Sequence, residues 1–318
     1  MWSGGVGVPM STGGEAKPAR EDERSLPPGG VRVPGGQAGR LLPTKWHCVV
    51  RRGLLLLALL LVGIFAMQLA PKNPLRVVAG DRLKAPGAVL RDGSIAVLGT
   101  DGVGRDVLSR IIAGARLSLL IGLSSVAVAG ILGTNFGLIS GYFGGRLGDV
   151  IMRLVDIQMA FPAVLLALAI AAALGPSVLT LVLALGFSYW TSYARLARGI
   201  VLSIKEKEYV LAATVCGGSS ARILFRHVLP NAINPVMILA SLHLGQMIIA
   251  EASLSYLGLG IQPPDISWGG MIADGRNYLG SAWWAATFPG VAIAVTVLVM
   301  GMFGDAVRDA LDPKFRFH

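Results

Sequence analysis

A chain of 318 residues in which 53% are hydrophobic and only 14% are charged is too apolar to hide its surface in a water-soluble body of that length, since soluble domains carry about a quarter charged residues. Its net charge of +10 is therefore read against a bilayer and not against a nucleic acid. Soluble enzymes and nucleic-acid-binding domains are excluded as first readings, and an all-α polytopic membrane protein is expected.

Residues 1–45 are rich in Gly, Pro, Ser and charge, a composition that cannot bury enough apolar area to offset its ordering entropy. A disordered cytoplasmic tail is expected there, followed by a membrane domain over 46–318. Crossing about 30 Å of hydrocarbon takes roughly 20 apolar residues wound as a helix, because lipid offers no partner to an exposed backbone amide. Six stretches qualify, at roughly 53–70, 117–140, 151–173, 178–199, 235–257 and 286–307. The first follows Lys45, Arg51 and Arg52, and Met67-Gln68-Leu69-Ala70-Pro71 behind it is a poor cleavage site. It reads as a retained span rather than a signal sequence.

With the N-terminus in the cytoplasm, six spans put most of the 28 Lys and Arg residues inside, the orientation that basic residues favour. The external loop 71–116 runs against this bias. It is basic, partly offset by Asp81, Asp92, Asp101 and Asp106, and its length weakens its topological influence. Turn formers fill its first part. Gly104 to Leu117 then reads as an amphipathic interfacial helix, with Leu108, Ile111, Ile112 and Ala115 opposite Arg105, Ser109 and Arg116.

At the third and sixth spans, Asp149, Arg153 and Asp156, and likewise Asp305, Arg308 and Asp309, have the helical spacing to neutralise one another. The loop 200–234 is expected inside. Ser203 and Glu206 have capping-box spacing, predicting a helix from there to about Val215. Gly217-Gly218 breaks it, Ser219 or Ser220 caps a short helix running to His227, and Pro230 ends that helix. Ile223, Leu224 and Phe225, flanked by Arg222 and Arg226, form a face that suits a partner's groove, unless the loop folds back on its own membrane domain. In the fifth span His243, Gln246, Glu251 and Ser253 fall within one arc of less than half the helix circumference. That arc either faces a solute path or bonds neighbouring helices. In the external loop 258–285, Trp268, Trp283 and Trp284 are expected as interface anchors.

Chemistry is conspicuous by its missing motifs. A phosphate-binding loop needs Gly-x-x-x-x-Gly-Lys-Ser/Thr, and the nearest approach, Gly99 to Gly104, is followed by Arg105-Asp106. A carboxylate would stand where phosphate should go, so ATP hydrolysis is not expected in this chain. No Gly-x-Ser-x-Gly or His-Glu-x-x-His occurs. The two cysteines, Cys48 and Cys216, form no disulfide framework or metal cluster.

Glu208-Tyr-Val-Leu-Ala212-Ala213, Gly217 and His227-Val-Leu-Pro230-Asn231 resemble the EAA loop of binding-protein-dependent ABC importers. Similar to the dipeptide, oligopeptide and nickel permeases are the stretches from Gly99 to Arg110, Gly141 to Arg146, Asp156 to Pro162, Glu251 to Gly260, Gln262 to Gly269 and Gly304 to Pro313. The resemblance covers about 45–314 and points to the C-type permease of a pair. His227 stands where the family pattern usually has a branched residue.

The resemblance implies a type I importer permease fold of six transmembrane helices with a cytoplasmic coupling helix, Ser219 to Val228. Glu208, Ala212, Ala213, Gly217, Ser219, Arg222, Leu224, Arg226 and Pro230 become ATPase-coupling residues, and His243, Gln246 and Glu251 line the translocation path. The partners implied are a homologous B-type permease, two ATP-binding-cassette ATPases holding ATP and Mg, an extracytoplasmic solute-binding protein and the lipid bilayer. No cofactor is bound by this chain, and no nucleic acid is engaged. The location implied is a bacterial or archaeal cell membrane with both termini cytoplasmic, and the cargo peptides or related solutes such as nickel chelates. A proton-coupled secondary transporter is the rival, because ionisable groups inside spans are usually functional. Such a transporter needs no exposed dock for a motor.

Overall fold

The computed structural model describes residues 42–311, with side chains over 53–309. Helix α1 (Leu42–Ile64) and the single turn α2 (Ala66–Leu69) lead into an irregular segment holding a two-stranded antiparallel sheet, β1 (Ala88–Val89) with β2 (Ile95–Ala96). Helices α3 (Val107–Phe143), α4 (Gly145–Met159), α5 (Ala163–Leu174) and α6 (Val178–Ile204) follow. Then come α7 (Glu208–Val215), α8 (Ser220–Ile223), α9 (Leu229–Tyr256), α10 (Trp268–Gly275) and α11 (Trp284–Leu311).

Three helical stretches are long and apolar enough to cross a bilayer: Val107–Phe143, Ser220–Tyr256 and Trp284–Asp309. A fourth crossing results if α4 and α5 make one broken span, for they meet at 88°. The uninterrupted span expected over 151–173 is thus corrected. Pro162 lacks an N–H and disfavours helical geometry at Phe161, so the chain turns there. The two other expected spans are helical but weaker. Gly53–Ile64 is a shorter apolar helix, and α6, with 27 residues, is about 40 Å long but carries Tyr189, Tyr193, Arg195 and Arg198.

No separate interfacial helix precedes the second span. Asp106 caps α3, its carboxylate accepting from the Ser109 N–H at 2.9 Å, and the helix then runs without a break to Phe143. Nothing between Val107 and Leu117 supplies a stop signal.

Glycines let α3 and α6 approach closely. A Cβ on Gly133 would lie 2.2 Å from the Trp190 carbonyl oxygen, on Gly137 2.5 Å from that of Ala194, and on Gly141 2.7 Å from Val201 Cβ. Small residues at four-residue spacing are how helices pack where lipid gives no hydrophobic drive. Around this seam, Ile121, Leu181, Leu185 and Leu254 fill one core and Val155, Tyr193, Ala194 and Met247 another.

The segment before α3 and the first turns of α3 are fastened to later parts of the chain. Trp284 Nε1 donates to the Thr100 carbonyl at 3.1 Å, and Trp268 Nε1 to that of Ile111 at 2.8 Å. Trp268 and Trp284 are buried and Trp283 is exposed, so two of the three expected interface anchors are core ties instead. Their indole N–H groups find backbone acceptors inside the protein.

Arg105 Nε meets Asp101 at 2.6 Å, Arg110 also binds Asp101, and both arginines reach Asp274 of α10 at 3.2 and 3.4 Å. Asp156 pairs across to Arg195 of α6 at 2.8 Å. Among the described residues no ion pair forms within Asp149, Arg153 and Asp156, or within Asp305, Arg308 and Asp309. Asp156 finds its guanidinium on the neighbouring helix instead, in Arg195 of α6.

Candidate functional site

The segment after α6 forms an elbow. Helix α6 continues to Ile204 because Ala197, Val201 and Ile204 keep its inner stripe buried. Ser203 therefore lies inside a helix and cannot cap one, which corrects the expected start. Helix α7 begins instead at Glu208, after Lys207 and without a side-chain cap.

The predicted glycine break is present. Gly217 has φ +76°, Gly218 N–H donates back to the Ala213 carbonyl at 3.0 Å, and a Cβ on Gly218 would fall 2.7 Å from that oxygen. Ser219 caps α8, its hydroxyl accepting from the Arg222 N–H at 3.4 Å. The chain then passes through a π turn, Leu224–Val228, directly into α9. Pro230 does not end a helix as expected. It occupies the first turn of α9, where a missing N–H is tolerated.

The elbow divides its apolar residues between two faces. Ile223 and Leu224 are 1% and 8% exposed and pack with Leu138, Val201, Val210 and Val228. The expectation that they face a partner is corrected, since one short helix must also anchor itself to its own domain. Phe225 is 62% exposed, between exposed Arg222 and Arg226, and Leu211 and Val215 of α7 are also exposed. Of the other expected coupling residues, Glu208, Ala212, Gly217, Ser219 and Pro230 are exposed and Ala213 is half-buried.

A brace that the sequence did not single out holds the inner angle. Asn231 Nδ2 donates to the His227 carbonyl at 2.6 Å and to the Tyr209 hydroxyl at 3.4 Å, and the Tyr209 and His227 rings lie 6.4 Å apart.

The polar arc of α9 is split. His243 is buried between Tyr189 and Tyr193 of α6, with ring centroids at 5.5 and 5.1 Å. Glu251 is fully buried; one oxygen accepts from the Ser255 hydroxyl at 2.7 Å and the other has no protein partner. Gln246 is exposed, on a stripe with Leu242, Ile249 and Tyr256. Only Gln246 of the three expected path residues thus lies on the open face. A helical wheel gives relative angle but not the width of the buried sector, and α9 is enclosed by α3, α6, α10 and α11. The tyrosines of α6 that enclose His243 carried no sequence signal beyond their aromatic character.

A model of the family described as binding-protein-dependent transport system inner membrane component matches residues 133–317, a range that includes the elbow and all of α9. The chain is 43% identical over 264 residues to a di/tripeptide transport system permease protein of Pseudomonas aeruginosa, covering 83% of this chain and 87% of that one. It is 45% identical over 278 residues to a dipeptide transport system permease protein of Escherichia coli, covering 85% and 92%. A glutathione transport system permease protein of Pectobacterium atrosepticum is 39% identical over 286 residues, covering 90% and 93%. Among solved structures, the inward-facing MetNI methionine ABC transporter aligns with a TM-score of 0.52 at 16% identity, over 64% of this chain and 97% of that chain. That last likeness is one of fold.

Proposed function

Because the chain belongs to the binding-protein-dependent transport system inner membrane components, we propose that it forms, with a homologous permease, the path by which an ATP-driven importer admits peptides. The chain is the permease subunit of an ATP-binding-cassette importer, and its relatives are permease components rather than enzymes. Peptides are the cargo that the relatives' names favour, di- and tripeptides and glutathione among them. The relatives lend no support to proton-coupled exchange.

In this reading the elbow lies in the cytoplasm, both termini lie there too, and two ATPase subunits that hold ATP and Mg grip the elbow. An extracytoplasmic solute-binding protein delivers cargo at the far end of α9. The membrane is the bacterial or archaeal cell membrane.

The exposed face of the elbow is the observation that carries this reading. Phe225 stands between Arg222 and Arg226, offering an apolar anchor with charges that set register. The glycine turn, the Ser219 cap and the Tyr209–His227–Asn231 brace stiffen the elbow, so a push on it reaches α9 through the π turn that joins the two. Nucleotide does work only by binding two conformations unequally, and a stiff lever converts that difference into reorientation of the spans.

The double variant Phe225→Asp, Arg226→Asp in the reconstituted transporter tests this. Uptake is expected to fall at least roughly tenfold, as for loss of an interface anchor, and ATP hydrolysis to lose its stimulation by substrate-loaded binding protein, while the chain stays inserted. Normal stimulated hydrolysis with normal uptake would reject the coupling role. Leu224 is unsuitable for this test because it is buried. Glu251→Gln keeps shape and removes the titratable acid; it is expected to slow uptake several-fold with assembly intact. An unchanged rate would assign Glu251 to packing alone.

A further inference from the structure

At the end of α9 remote from the elbow lies a hollow of about 530 Å³. Ile249, Ala252, Ser253 and Tyr256 of α9, Ile272 of α10 and Gly290 and Ile293 of α11 line it. The hollow opens on the same stripe of α9 that carries Gln246. Its size lies in the range of small-ligand sites and comfortably exceeds one amino-acid side chain.

Arg276 is exposed and reaches the hollow's lining at Tyr256. Its guanidinium carbon lies 5.2 Å from the centre of the Tyr256 ring, and one nitrogen, Nη1, donates to the Tyr256 carbonyl at 2.8 Å. Among the described residues no carboxylate pairs with it, whereas Arg105 and Arg110 nearby in the chain's fold are both ion-paired. A guanidinium has five donors in a planar fork that suits a carboxylate, so four remain to be used. Stacking on Tyr256 and the carbonyl bond hold the group in place beside the hollow.

We propose that this hollow is a subsite of the import path that takes the C-terminal residue of a peptide, with its apolar side chain in the cavity and its α-carboxylate on Arg276. The inference rests on the peptide-import reading above and adds the end of the peptide recognised and the groups that select it. An open apolar hollow beside an exposed guanidinium with no carboxylate partner among the described residues matches a carboxylate adjoining an apolar side chain. It discriminates against a charged side chain, which would lose its water without gaining a partner. Gly290 lines the hollow and leaves it room, since nothing stands within 4 Å of where its Cβ would be.

The test uses the complete transporter in liposomes, both permeases, the ATPase pair and the binding protein. Uptake of Ala-Ala, Ala-Phe, Ala-Trp and amidated Ala-Phe is measured with the binding protein saturated by each, so that its own selectivity cancels between variant and parent. Gly290→Leu is expected to lower the ratio of Ala-Phe to Ala-Ala uptake about tenfold, as pocket-filling by a few methylenes does. Ile272→Ala is expected to raise the ratio of Ala-Trp to Ala-Ala, and decides the matter should Gly290→Leu fail to assemble. Arg276→Gln is expected to erase the preference for free over amidated Ala-Phe.

Unchanged ratios in assembled variants would overturn the subsite. Phospholipid seen by native mass spectrometry in the parent and lost in Arg276→Gln, with the peptide ratios unmoved, would replace it with a lipid site. A parent transporter that imports none of the four peptides with ATP would overturn the import reading itself, and this inference with it.

Discussion

Asp101→Ala is expected to destabilise the folded chain by about 3–5 kcal/mol, the cost of removing one partner from a buried ion pair. Asp101 and Arg110 have side chains only 7% and 5% exposed. Arg105 lies on the same carboxylate, and Asp274, which both arginines also reach at 3.2 and 3.4 Å, is 48% exposed. Deleting Asp101 would leave two guanidinium groups facing each other, one of them out of water. The same carboxylate organises the loop ahead of α3, accepting N–H bonds from Val103 at 3.0 Å and Arg105 at 2.9 Å. Thermal unfolding of the purified protein in detergent measures the effect; a midpoint within a degree of the parent would show that the network contributes nothing. Asp101→Ala with Arg110→Met is expected to be less damaging than Asp101→Ala alone, because no buried charge is then abandoned.

The pH dependence follows from the same geometry. Burial by itself would raise the Asp101 carboxyl, but Arg110, the Arg105 N–H and guanidinium, and the Val103 N–H outweigh it and hold the group below its ordinary value. A carboxyl depressed in the folded state contributes stability that is complete above its unfolded pKa of about 3.9. That contribution is lost as pH falls through the folded value. Asp101 should therefore leave the melting temperature flat between pH 8 and 5 and contribute to a decline only in stronger acid. The Asp101→Ala variant should show a shallower acid limb than its parent; an identical limb would remove Asp101 from the account.

Gly133→Leu is expected to prevent α3 from seating on α6, so that no monodisperse protein is recovered. Gly133→Ala should already cost about 1–3 kcal/mol, the range for overpacking a close-fitted core. Its methyl would lie 2.2 Å from the Trp190 carbonyl oxygen and 2.9 Å from the Ala194 nitrogen, which are backbone atoms that cannot swing aside. Gly199→Ala on α6 is the control. Nothing lies within 4 Å of its Cβ position, and alanine in a helix is favoured over glycine by about 0.5–1 kcal/mol. Size-exclusion profiles after graded heating would separate the two. Equal behaviour of Gly133→Ala and Gly199→Ala would refute close backbone contact as the basis of the seam.

Where the sequence was most readable, the cause of structure was local. The glycine turn at 217–218 and the Ser219 cap each depend on a few adjacent residues, and both stand where they were expected. The misreadings arose where a local signal competed with packing. Ser203 and Glu206 carry a capping pattern, but the buried stripe of α6 extends past Ser203 and tertiary burial outweighs a cap of about 1 kcal/mol. Pro230 reads as a stop, yet its place in the first turn of α9 makes it harmless. Phe161-Pro162, inside an apolar run that looked continuous, turned out to be the stronger breaker.

Composition, apolar run length and local turn signals by themselves determined that this is a helical membrane protein with an elbow after its fourth apolar segment, because these depend on the solvent and on neighbouring residues alone; that it is a permease came from its resemblance to a family. Which face of the elbow is free, and which polar residues of α9 are enclosed, only the tertiary structure decided. Ile223, Leu224 and Phe225 are consecutive and equally apolar, yet two are buried and one is exposed; His243 and Gln246 sit one turn apart, yet Tyr189 and Tyr193 enclose only the first. Burial is a property of what another segment brings up against a residue, and that segment lies far away in the chain.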